Sequence, residues 1–77
     1  MEVTTSDLYF AAAIRTEGYS LRELRKVGHG PRMEFVFDLG EKEADRLRRA
    51  WLLGTLDGPL KEYAGHVKDL KSAVHNG

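Results

Sequence analysis

Apolar and polar positions alternate most cleanly over residues 32–38 (RMEFVFD), where Met33, Phe35 and Phe37 share one face and Glu34, Val36 and Asp38 the other. A period of two marks a strand with one side in a core. On either side the apolar spacing changes to three and four. Residues 7–17 predict a first helix, capped by the hydroxyl of Thr5 or Ser6, with Asp7 in its first turn and Gly18 as its left-handed stop. Its run from Leu8 to Ile14 is apolar nearly all round, so the helix is covered on more than one face and the run is core. Residues 1–4 read as a lead-in.

Residues 20–27 predict a strand that turns at Gly28-His29-Gly30-Pro31 and returns as 32–38. Leu21 and Val27 share a parity that Leu24 does not, which places a bulge or an irregular start in this strand. Residues 41–53 predict a second helix with the apolar stripe Ala44, Leu47, Ala50 and Trp51. Glu41 and Glu43 sit at its positive end, and Asp45 can pair with Arg49 on its outer side. Gly54 ends it. Pro59 opens a third helix whose stripe, Leu60, Tyr63, Val67, Leu70 and Val74, runs to Asn76-Gly77. Gly65 interrupts that stripe at a cost of about 1 kcal/mol relative to alanine, a cost that close helix contact would explain. A short third strand is expected near residues 55–57.

The expected fold is therefore α+β in two layers: helix, hairpin, helix, helix (α-β-β-α-α), with the helices on one face of a small antiparallel sheet and a single domain over 1–77. A two-stranded sheet with open edges is marginal, and pairing across a homodimer into four strands would remedy it.

Composition narrows the classes. A chain of 77 residues buries only about 60% of its unfolded surface, so its core is thin. With no cysteine, neither disulfides nor a thiolate zinc site can reinforce it. Lys+Arg and Asp+Glu both total 12, giving zero net charge, which argues against a dedicated nucleic-acid binder because phosphate neutralisation needs a basic excess. No apolar run approaches the roughly 20 residues of a membrane span, and no basic stretch leads into an apolar signal core. The expectation is a cytoplasmic protein with no membrane association.

Little catalytic chemistry is in view. His29, His66 and His75 have no spacing that converges on a metal. Glu23 and Glu34 could face each other across the hairpin but read more simply as solvent-side partners of Arg22, Arg25 or Arg32. Gly28-His29-Gly30 has no helix behind it to bind a phosphate. No cofactor, metal or catalytic residue is expected, and the chain is read as not an enzyme.

Three segments, the Thr5-Ser6-Asp7-Leu8-Tyr9-Phe10-Ala11-Ala12 opening, Glu34-Phe35-Val36-Phe37-Asp38 and Val67-Lys68-Asp69-Leu70-Lys71, carry a likeness. In them the chain resembles a family of small prokaryotic and phage-borne proteins known as a domain of unknown function. The likeness covers most of the chain in the same order, and the Ser-Asp-Leu-Tyr opening is its most specific part. Asp57-Gly58-Pro59 departs from it, since relatives place an aspartate directly before the proline. The resemblance implies a small accessory protein of mobile elements or their hosts, and no activity.

Two binding functions follow. As a protein-interaction module, the chain would use Trp51, Leu52 and Leu53, which cannot all face one core, and the hairpin edge around Val36. As a nucleic-acid binder, it would lay the hairpin into a major groove with Arg22, Arg25, Lys26 and Arg32 on phosphates, reinforced by Arg46, Arg48 and Arg49 if these lie alongside. Glu23, Glu34 and Asp38 would dilute that field. Protein is the preferred partner.

Overall fold

The strand marked by alternation is the middle of a three-stranded sheet. In the computed structural model, which describes residues 2–28 and 32–76, β1 (Glu2–Thr5), β2 (Leu21–Lys26) and β3 (Met33–Asp38) are antiparallel in the order β1-β3-β2. Helix α1 (Leu8–Thr16) joins β1 to β2, and α2 (Glu41–Leu53) and α3 (Leu60–Asn76) follow β3. The α+β class is as expected. The third strand is not: residues 55–57 are coil, and the strand is instead the segment read as a lead-in. Three of the four residues of β1 are β-branched, which suits a pleated surface, and Val3 and Thr5 pair opposite Phe37 and Phe35.

The register divides the sheet into two faces. Val3, Leu21, Leu24, Phe35 and Phe37 share one parity and join a single core with Phe10, Ala11, Ala12 and Ile14 of α1, Ala44 and Leu47 of α2, and Leu70 of α3. All three helices therefore lie on this face. Every residue of α1 from Phe10 to Ile14 is buried, because the helix is wedged between the sheet and α3. Its alanines let both neighbours approach closely. The expected parity break in β2 is a bulge: the register shifts between Leu21, opposite Phe37, and Glu23, opposite Val36.

Turn chemistry sets the helix ends. The cap of α1 is Asp7, whose Oδ1 accepts from the backbone N–H of Tyr9 (2.9 Å) and Phe10 (3.3 Å). Neither Thr5 nor Ser6 caps it, because β1 runs through Thr5, whose hydroxyl accepts the N–H of Asp7 instead. At the other end Gly18 (φ 104°) and at the end of α2 Gly54 (φ 71°) take the left-handed conformation. Each is followed by a residue whose N–H reaches back to the last turn, Tyr19 to Ile14 O and Thr55 to Ala50 O. Val27 N–H to Arg32 O (3.0 Å) closes the hairpin; the predicted turn at 28–31 is described only at Gly28. Gly65 is exposed and a Cβ there would meet nothing within 4 Å. It marks no close helix contact.

Candidate functional site

The hairpin arginines do not form one face. Glu34, Val36 and Asp38 have the parity of the helix-free side of the sheet, and Glu2, Thr4, Glu23 and Arg25 are their neighbours there. Arg25 Nη2 donates to Glu2 Oε1 (3.2 Å) and to Glu23 Oε2 (3.4 Å), and Arg22 Nη1 lies 3.5 Å from Glu2 Oε2. These hydrogen bonds, to Glu2 first and then Glu23, raise the Arg25 pKa above its ordinary value. Lys26, opposite Met33, has the opposite parity, and Arg32 turns its Nε to Ser6 Oγ (3.0 Å). The open face thus carries Glu2, Glu23, Glu34 and Asp38 against Arg22 and Arg25, an acidic balance where a phosphate-binding ribbon needs a basic one. Glu23 and Glu34 do not face each other; they flank Arg25.

Val36 is not an edge residue. It sits in the central strand with no exposed surface and outside the helix-side core cluster. Glu2 stands opposite Asp38 and Arg25 opposite Glu34, so the Glu2–Arg25 ion pair crosses β3 at Val36. A pair that spans the valine in this register offers it aliphatic stems as cover. The second arginine cluster lies in the helix layer, away from this face. Arg46 is held there by Glu43 and by Glu17 (3.1 Å), with its pKa raised by Glu17 first, and it ties α2 to the end of α1. No ion pair between Asp45 and Arg49 forms among the described residues.

The corner where α2 ends and α3 begins has a different character. Trp51 turns inward and packs on Phe10, ring centroids 5.6 Å apart. Leu52 and Leu53 point outward, 84% and 67% exposed, and Leu60 across the connection is 83% exposed. Leu60 is thus outside the core although its spacing puts it in the stripe of α3. The stripe begins instead at Tyr63, because Leu60 lies in the first turn, before α3 reaches α1. Ala13, Thr16, Trp51, Leu56, Leu60 and Tyr63 line most of a groove of about 310 Å³ at this corner. Its wall at Gly58 is tight, since a Cβ there would come within 3.0 Å of Thr16 Cγ2. The Tyr63 hydroxyl donates to the Tyr9 carbonyl (3.3 Å), and burial first, then the nearby Asp7 and Tyr9, pushes its pKa up. Leu53 also borders a second groove, of about 590 Å³ and mixed polarity, that shares Leu56 and Asp57 with the first.

Elsewhere the chemistry is sparse. His66 borders a groove of about 350 Å³ beside Arg15, Tyr19 and Ser20, but its Nδ1 is buried without a hydrogen-bond partner. A molecule in that groove would not reach the atom. His75 lies in the last turn of α3, and His29 is outside the described residues. Among the described residues, no three His, Asp or Glu side chains gather in a way that could hold a metal ion, and no helix is long and apolar enough to cross a membrane. No family model, curated protein or solved structure matches the chain.

Proposed function

We propose that the chain is a non-enzymatic protein-interaction module, an accessory protein of a mobile element or its host, and that it binds through the corner between α2 and α3. The observation that carries this reading is the exposure of Leu60 on an apolar groove, with Leu52 and Leu53 exposed at the end of α2 and Leu53 on the adjoining groove. Scattered exposed apolar residues are ordinary on a soluble protein; several near one helix-to-helix connection mark an interaction surface. Trp51 and Tyr63 in its lining are the residue types that anchor protein interfaces. Nucleic acid is the weaker reading, since Arg22 and Arg25 are already engaged by Glu2 and Glu23.

Trp51 is the single tryptophan and lines the groove, so its emission reports occupancy. Titration with a leucine-bearing amphipathic helical peptide is expected to shift that emission equally at low and high salt, while a mixed-sequence DNA duplex leaves it unchanged. A silent Trp51 together with duplex binding that disappears at high salt would reverse the reading, because loss of affinity with salt is the signature of phosphate contacts.

A further inference from the structure

Strand β2 is an edge of the sheet: it pairs with β3 on one side, and among the described residues no strand lies on the other. We propose that two copies of the chain pair there, β2 against β2, antiparallel about a two-fold axis at Leu24, so that the two sheets become one. This contact uses none of the residues at the corner between α2 and α3 and goes beyond the reading given to that corner. The ladder with β3 sets which groups are free to make it. Val27 N–H reaches Arg32 O, and bonded and non-bonded pairs alternate along an antiparallel ladder. Arg25, opposite Glu34, is therefore bonded to β3, whereas Leu24, opposite Phe35, and Lys26, opposite Met33, turn their backbone N–H and C=O groups away from it. With the axis at Leu24, the N–H of Leu24 in each copy donates to the Leu24 carbonyl of the other.

Charge selects that register. About a two-fold axis, residues equidistant from it stand opposite each other, and opposite charges in that position attract while like charges repel. Leu24 is the one uncharged residue of the run Arg22-Glu23-Leu24-Arg25-Lys26. An axis at any of its four neighbours sets a charge against its own copy. An axis at Leu24 instead sets Glu23 of each copy opposite Arg25 of the other, on the helix-free face where both side chains lie, and brings the half-buried Leu24 of each copy together on the helix side. One like-charged pair remains, Arg22 opposite Lys26. The bulge parts them: Arg22 reaches Glu2 over the helix-free face (3.5 Å), while Lys26 has the parity of the helix side. Charges on an edge strand ordinarily keep other strands away; here they exclude the neighbouring registers and admit a second copy in this one.

The other edge is the poorer one, because β1 has only four residues and a short edge strand offers little to pair with. A standard interface engages roughly 20–30 residues a side, and a pairing over residues 22–26 engages far fewer. The dimer is therefore weak and exchanges with monomer.

Sedimentation equilibrium from about 10 μM to about 1 mM, the range in which a weak complex forms, tests this. The mass is expected to rise from 8.7 kDa toward twice that value. Glu23→Lys sets lysine against arginine across the axis, and Arg25→Glu sets glutamate against glutamate, so each variant alone should stay monomeric. Mixed in equal amounts, the two variants again place opposite charges at both positions, and the dimer should return, which also shows that both are folded. Lys26→Pro removes an outward N–H and none that β3 uses, so it should weaken the dimer with no change of charge pairing at Glu23 and Arg25. A monomeric wild type at every concentration overturns the proposal, as does a dimer of wild-type strength in any of the three variants, or a mixture of the two charge variants that stays monomeric with unchanged circular-dichroism spectra. The peptide titration of Trp51 bears on the corner between α2 and α3 alone, so either reading can fail without the other.

Discussion

Gly65→Ala should stabilise the protein. Gly65 is the sixth residue of the 17-residue α3, exposed, and without positive φ. Nothing lies within 4 Å of where the new methyl would stand, so no clash offsets the gain. Alanine in a helix interior is better than glycine by about 0.8–1 kcal/mol, and for a domain of this size 1 kcal/mol moves Tm by roughly 4–8 °C. Against a total stability that scales as about 0.05–0.15 kcal/mol per residue, this is a sizeable fraction. Urea unfolding at low micromolar concentration, followed by circular dichroism, should give a higher midpoint with an unchanged slope. The same substitution at Gly54, where φ is 71°, supplies a control of opposite sign, since a left-handed residue with a Cβ costs roughly 1–2 kcal/mol. Loss of stability in Gly65→Ala, or equal signs at the two sites, would refute the reasoning and place another surface against the bare face of α3.

Asp7→Ala should cost about 0.5–2 kcal/mol, because it leaves the N–H groups of Tyr9 and Phe10 without their carboxylate; replacement of Ser6 by alanine should cost less, as Ser6 does not cap, and both are read from chemical unfolding. Above pH 10 stability should fall. The Tyr63 and Tyr19 phenols have folded-state pKa values raised above the ordinary 10.0, in both cases by burial first. Their neutral forms thus support the fold fully below that value, and the support is lost as pH rises through the raised ones. Unfolding midpoints between pH 8 and pH 11 should show the decline, and Tyr63→Phe should reduce it.

The parts of the fold written in strong local signals were legible in the residues alone. Helix α2 begins and ends where its stripe and Gly54 place it, and the parity of Leu21, Leu24 and Val27 carried the bulge in β2. Strand β1 was missed because four residues with one apolar side chain show no alternation; its place depends on a long-range pairing with β3, which no local window contains. That omission propagated to Val36. On a two-stranded hairpin it reads as an edge residue, whereas with β1 alongside it becomes the centre of the sheet. That at least one of Trp51, Leu52 and Leu53 faces outward followed from their adjacency, because three consecutive positions of a helix covered on one side cannot all reach the core. Which of them turn out, Leu52 and Leu53, and that Trp51 packs on Phe10, depends on the docking of α2. The exposure of Leu60 did not follow, since periodicity says which residues share a stripe and not how far the stripe is covered.

The helix-free face supplies the sharpest test of what the hairpin arginines do. If Arg25 serves phosphate, its charge matters and its stem does not. If it roofs Val36, the stem matters more, because exposed ion pairs contribute little while an uncovered core valine returns apolar surface to water. Arg25→Met keeps most of the stem and removes the charge; Arg25→Ala removes both. The register that carries the Glu2–Arg25 pair across Val36 predicts that Arg25→Met unfolds near the wild-type urea midpoint and Arg25→Ala clearly below it. Duplex binding at low salt should be negligible in all three proteins. Equal loss of stability in the two variants would mean that the ion pair, and not the covering, holds this face together. Duplex binding by the wild type that vanishes in both would return Arg25 to the role its sequence neighbourhood first proposed.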